Sequence, residues 1–79
     1  MGKKLKKQTT DRGFDIVYFE DSYGAKCSLQ KSSRATVEAI WLGCYQKDNG
    51  DHNDRMHLTR KQVKKLLPFL KKFAKTGDL

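Results

Sequence analysis

The chain has no apolar run longer than the seven residues Ala39-Ile-Trp-Leu-Gly-Cys-Tyr45. That is far short of the roughly 18 that a membrane-spanning helix requires. Residues 1–12 lack the apolar stretch of an export signal, so secretion by the general route is not expected. Met1-Gly2 opens like a myristoylation signal, but Lys6 stands where Ser or Thr is needed. Cysteine is scarce: Cys27 and Cys44 are two thiols with sixteen residues between them. Zinc sites open with cysteines two to four residues apart, so that framework is missing. In a chain read as cytoplasmic, two buried free thiols are favoured over a bridge. Acid is missing from residues 60–75, and that gap is the most informative.

What is present is charge, unevenly spread. The 79 residues carry a formal net +8. Residues 1–12 hold Lys3, Lys4, Lys6, Lys7 and Arg12 against Asp11, a net +4; residues 13–59 come to −2 and residues 60–75 to +7. A mildly acidic body thus carries a basic arm and a basic helix, an asymmetry that suits an anionic partner. A chain of this length makes one domain and hides only about 60% of the surface it would expose unfolded. The division expected is a flexible basic tail over 1–12 and a single α+β domain over 13–79. Eight aromatics supply material for its core.

Gly13–Glu20 is rich in β-branched and aromatic residues, with Phe14, Ile16 and Tyr18 on one side and Val17 and Phe19 on the other. Asp21-Ser-Tyr-Gly24 is a turn, and Ala25–Lys31 alternates with Ala25, Cys27 and Leu29 on one face; together these predict a β-hairpin. Ser32–Glu38 reads as a polar loop or one capped helical turn. Ala39–Tyr45 reads as the central strand, Gln46–Asp54 as an exposed loop, and Arg55–Leu58 as a short fourth strand or a lead-in to a helix.

The helix is the clearest element. Thr59 is an N-cap with Gln62 completing a capping box, and Leu58 and Val63 stand at the positions of a hydrophobic staple. Val63, Leu66, Leu67, Leu70, Phe73 and Ala74 recur at helical spacing, with Lys61, Lys64, Lys65, Lys71, Lys72 and Lys75 opposite. Gly77 supplies the stop. Pro68 falls on the lysine side, predicting a kink there or a break near Lys65–Leu67. The fold expected is α+β: a small antiparallel sheet of three to four strands with this helix packed on one face. Its core would draw on Phe14, Ile16, Tyr18, Cys27, Leu29, Ile40, Leu42, Val63, Leu66, Leu67, Leu70 and Phe73.

Chemistry is thinly represented. Cys27, Cys44, His52 and His57 could in principle gather around zinc, but core thiols and structural histidines explain them more simply. Asp48, Asp51 and Asp54 lack the register of a calcium loop, since placing Gly50 sixth puts Tyr45 first. Cys44 with His57, or Ser28, Ser32 or Ser33 in the nucleophile's place, has no spacing that unites it, so neither catalysis nor a cofactor is expected. Trp41 reads as core. The lysine face and the tail (Lys3, Lys4, Lys6, Lys7) could neutralise phosphates with little sequence preference, or the lysines could merely solvate the outer face of a packed helix.

Tyr23–Ser33, Ile40-Trp41-Leu42-Gly43, Arg55–Val63, Leu66-Leu67-Pro68 and Thr76-Gly77-Asp78-Leu79 carry a resemblance. Through them the chain, over residues 20–79, resembles a family of small bacteriophage and prophage proteins to which no activity is assigned. The loop between Tyr45 and Arg55 is short for the group. The resemblance implies a host-cell cytoplasmic setting and an accessory role, such as disabling a nucleic-acid-guided (CRISPR-type) defence complex, and it assigns no functional residues. The function expected is non-catalytic binding of a nucleic acid or nucleoprotein through the lysine face and the N-terminal arm. The rival is a protein–protein module binding through its sheet face or edge, with the lysines serving solubility.

Overall fold

The computed structural model describes residues 4–33, 36–47 and 50–79, and for residues 46–47 and 50–53 the backbone only. Among the described residues five antiparallel strands form a meander in chain order: β1 (Lys7–Thr9), β2 (Asp15–Glu20), β3 (Lys26–Lys31), β4 (Ala39–Lys47) and β5 (Gly50–Thr59). One helix follows, α1 (Arg60–Thr76). The α+β class is as expected, but the sheet has five strands rather than three to four.

The additional pairing has two sources. Lys7–Thr9, expected to belong to a free tail, lies against β2 with Lys7 opposite Val17 and Thr9 opposite Asp15. All three residues are exposed, so this strand is held by main-chain bonds to an open edge and leaves no hydrophobic pattern. The segment read as a loop after Tyr45 instead extends the ladder, with Gln46 opposite Asp51 and Lys47 opposite Gly50. Residues 48–49 of that loop lie outside the described residues. The pairing register of the long hairpin shifts between Cys44 and Gln46.

The β2–β3 turn forms as the sequence predicts. Asp21 Oδ1 accepts from the Tyr23 and Ala25 amides at 2.8 and 2.9 Å, and Gly24 takes φ 83°. The described part of Ser32–Glu38 is loop, not helix.

Register divides the expected core. Val17, Leu29, Leu42 and Met56 run across one face, with Cys27 beside Cys44 and Ile40 beside Leu58 on the same side. Ile16, Gln30, Trp41 and His57 run across the other, followed by Tyr18, Ser28, Gly43 and Arg55. Phe14, Ile16 and Tyr18 therefore do not share a core with Cys27, Leu29, Ile40 and Leu42. Each strand has two faces at period two, and a single-layer sheet spreads its apolar residues over both. Among the described apolar residues only Ile16, Cys27 and Ala39 are buried. Ser28 is buried as well, and its hydroxyl has no hydrogen-bond partner among the described residues.

The largest departure concerns α1, which does not pack on the sheet. No residue of the helix is buried. Leu66 is 45% exposed, and Leu70 and Phe73 are each 56% exposed. The cause is local. Thr59 is both the last residue of β5 and the N-cap of α1, with φ −79° and ψ 165°, so strand passes into helix with no connecting residue. A helix that folds back over its own strand needs a connection of a few residues. The cap itself is as expected: Gln62 N–H donates to Thr59 Oγ1 at 3.3 Å, and Thr59 N–H donates to Gln62 Oε1 at 3.0 Å.

Glu38 joins the neighbouring loop to the base of the helix. It accepts from the Arg60 guanidinium at 2.9 Å and lies 3.6 Å from Lys31 Nζ, while its carbonyl accepts from the Arg60 amide at 3.2 Å. The hydrogen bond from Arg60, then the charges of Lys31 and Arg60, hold the Glu38 carboxyl below its ordinary range.

The helix continues through Pro68 to Thr76 and closes at Gly77, whose φ is 84° and whose amide donates to the Phe73 carbonyl at 2.8 Å. Pro68 lacks the amide that would satisfy the Lys64 carbonyl, a defect of about 3 kcal/mol in a helix interior. Pro68→Ala should therefore strengthen α1 by roughly 2–3 kcal/mol. Slower amide exchange across α1 and greater helical ellipticity should report the gain. Unchanged helix exchange and ellipticity in the variant would contradict it.

Candidate nucleic-acid interface

Seventeen residues at 100° per residue place Lys61, Lys64, Lys65, Lys71, Lys72 and Lys75 within one face of α1, with Pro68 among them. All six are exposed. Among the described residues no Asp or Glu side chain pairs with any of them; Lys72 Nζ donates to the Leu79 carbonyl at 2.8 Å. Lys61 borders a shallow recess with Val37 and Thr59, and Lys64 borders another at the helix base with Ala39, Ile40, Leu58 and Val63. Leu58 and Val63, the expected staple pair, thus line one recess.

The N-terminal lysines lie elsewhere. Lys4, Lys6 and Lys7 are exposed, and Lys7 stands 3.8 Å from Asp15 on β1; Lys3 lies outside the described residues. β1 is one edge of the sheet and β5, which leads into α1, is the other. Four inter-strand steps of about 4.8 Å put roughly 19 Å between these edges. The two basic segments therefore do not form one patch within a chain; each could contact a different stretch of a long polyanion.

The remaining candidates sort by sheet face. Cys27 and Cys44 face each other with their sulfurs 3.2 Å apart, both free thiols. Asp21 offers a third ligand atom nearby, all three lying within 4.8 Å of one another, but its Oδ1 is already used by the β2–β3 turn. His57 belongs to the opposite face, and the side chain of His52 lies outside the described residues, as do those of Asp48 and Asp51. The zinc grouping is therefore not assembled by Cys27, Cys44 and His57.

Cys44 and His57 are likewise apart, whereas Ser32 and His57 are brought together, contrary to expectation. His57 Nε2 lies 3.0 Å from Ser32 Oγ. Ser32 is buried, and this contact ties the loop before β4 to β5.

A cluster on that face was not anticipated. Trp41 lies against the His57 ring, centroids 4.3 Å apart, with the Arg55 guanidinium 5.7 Å from its ring centre. Arg55 also donates to Gln30 Oε1 at 2.9 Å. Tyr18 and Tyr45 meet edge to face at 5.9 Å. Trp41 is half-buried, partly core as expected and partly surface. The period-two pattern from Trp41 on β4 could have placed it on a face, but only strand register brings Arg55 and His57 to it.

Burial, and then the neighbouring Cys44, push the Cys27 thiol up to about 11 from an ordinary 9.0. A thiol kept protonated in the fold but free to ionise when unfolded stabilises the fold fully below the ordinary value; that stability is lost as pH rises through the folded one. Unfolding midpoints in urea should therefore fall between pH 9 and 11, and Cys27→Ala should remove that part of the slope. An unchanged slope in the variant would contradict it.

No helix is long and apolar enough to cross a membrane among the described residues. No protein-family model, curated protein or solved structure matches the chain.

Proposed function

We propose that this chain is a non-catalytic accessory protein of bacteriophage type that binds a nucleic acid or nucleoprotein through the lysine face of α1. The observation that carries the reading is the acid-free array of six lysines on an arm that stands clear of the sheet. Such an array meets phosphates without first breaking ion pairs, and binding releases condensed counterions. On this reading Lys4, Lys6 and Lys7 at the far edge add a second, weaker foothold. The phage context rests on the sequence resemblance, and occlusion of a nucleic-acid-guided defence complex is the form of action that fits a small polyanion-binding chain.

The test is binding to labelled oligonucleotides of scrambled sequence, DNA and RNA, over a salt series. Six phosphate contacts predict an affinity loss of about 10³-fold between roughly 50 and 200 mM salt, with little dependence on sequence. Pull-down from host lysate with and without nuclease then separates a nucleic acid from a protein surface. Salt-insensitive, nuclease-resistant capture would reject the reading.

A second reading is favoured by one observation, the wetted stripe of Leu66, Leu70 and Phe73. Large exposed apolar patches mark protein contacts. On that reading the apolar side binds and the lysines keep the chain dissolved.

A further inference from the structure

A folded chain of 9.1 kDa should expose about 4,900 Å². This one exposes 7002 Å², roughly 2,100 Å² more than the surface-to-mass scaling of folded monomers gives. Its radius of gyration is 13.7 Å, against about 11.6 Å for a compact chain of 79 residues. The helix contributes to this excess, since none of its residues is buried. The helix shows Leu66, Leu67, Leu70 and Phe73, and the sheet face of Val17, Leu29 and Leu42, with Met56 on its edge strand, is only partly buried. Met56, in the middle of β5, is 54% exposed. The two apolar surfaces join at the recess where Val63 meets Ile40 and Leu58.

Neither surface is stable alone. Helices in proteins draw most of their stability from packing an apolar face, and an isolated one of this length is marginal. This one also carries Pro68 and a column of like charges. A helix stripe and a sheet face are complementary layers, yet the absence of a connecting residue at Thr59–Arg60 keeps one chain from joining its own pair.

We propose that a second copy of this chain makes the match: in a two-fold dimer the α1 stripe of each copy lies on the Val17–Leu29–Leu42–Met56 face of the other. The exchange is isologous, so both helices and both sheets are covered by one symmetry operation. Covering roughly 2,100 Å² on each copy gives an interface within the range of obligate dimers, about 2,000–5,000 Å² in total. Both lysine faces stay outward, so like charges are not forced together. A lipid surface would take the helix stripe but leave the sheet face uncovered. The dimer does not depend on the lysine face having a partner.

The test is the mass of the full-length, reduced, nuclease-treated chain by sedimentation velocity at high salt, where polyanion contacts are screened. The expected species has about twice the 9.1 kDa chain mass at micromolar concentration. Leu70→Glu with Phe73→Glu should weaken association at least about 100-fold while the β-sheet circular dichroism persists. Met56→Lys, on the other layer, should do the same and keeps the test decisive should the helix variant melt. A wild-type chain monomeric at about 100 µM, or helix and sheet variants that both remain dimeric, would overturn the proposal. So would a monomer that binds anionic phosphatidylserine vesicles through the same leucines, which would make lipid the occupant.

Discussion

Gly43→Ala should strongly destabilise the folded sheet. Gly43 sits in the middle of β4 with φ 147°, a conformation that side chains with a Cβ rarely adopt. A methyl group built there would lie 2.6 Å from the Asp54 carbonyl oxygen and 2.9 Å from the Arg55 Cα. Both are main-chain atoms of the paired strand, so no flexible side chain can move aside. Backbone strain of roughly 1–3 kcal/mol and a steric clash of similar size add to about 2–6 kcal/mol. A domain of this length has a total stability of only about 4–12 kcal/mol. Urea unfolding followed by Trp41 fluorescence should show a strongly lowered midpoint or no cooperative transition. A loss below about 1 kcal/mol would mean β4 and β5 separate readily at this point.

Reversing the charge of Lys64, Lys65, Lys71 and Lys72 should have the largest effect on binding. Each Lys→Glu exchange removes two charges, so the four together take the formal net charge from +8 to zero. All four are exposed on α1 away from the sheet, so the substitution does not disturb the β-meander. Losing four phosphate contacts and adding four repulsions should lower affinity for an oligonucleotide by about 10³-fold or more at low salt. Acids placed near the helix C-terminus oppose its dipole, so the neutral Lys→Gln set is the companion measurement. It should lower the salt slope by about one unit for each lost contact and leave helicity intact. Full affinity in both sets would shift attention to the apolar side of the helix.

Much of the fold was legible, because its signals are local. Thr59 and Gln62 carry the capping box, Gly77 the stop, Asp21 and Gly24 the turn, and the alternation in Ala25–Lys31 the strand. What was not legible depends on partners distant in sequence or on the main chain alone. β1 is recruited by an unsatisfied edge, and Gln46–Asp54 continues a ladder although its polar composition signals a loop. Periodicity said correctly that α1 has an apolar side and a lysine side, but not what the apolar side meets. That is decided at Thr59, where the connection needed for reversal is missing. The same limit hid the Trp41, Arg55 and His57 cluster and the contact of Ser32 with His57, which only register assembles.

The direct splice of β5 into α1 makes the strand a shaft and the helix a pointer fixed to its end. Adding one residue between Thr59 and Arg60 would swing the pointer's markings by about 100° while leaving the helix's own sequence unchanged. A slip of β5 by one pairing step would send it to the opposite side of the sheet. Ammonium display and ladder alignment are thus a single mechanical setting, and Glu38 is the set-screw that holds it.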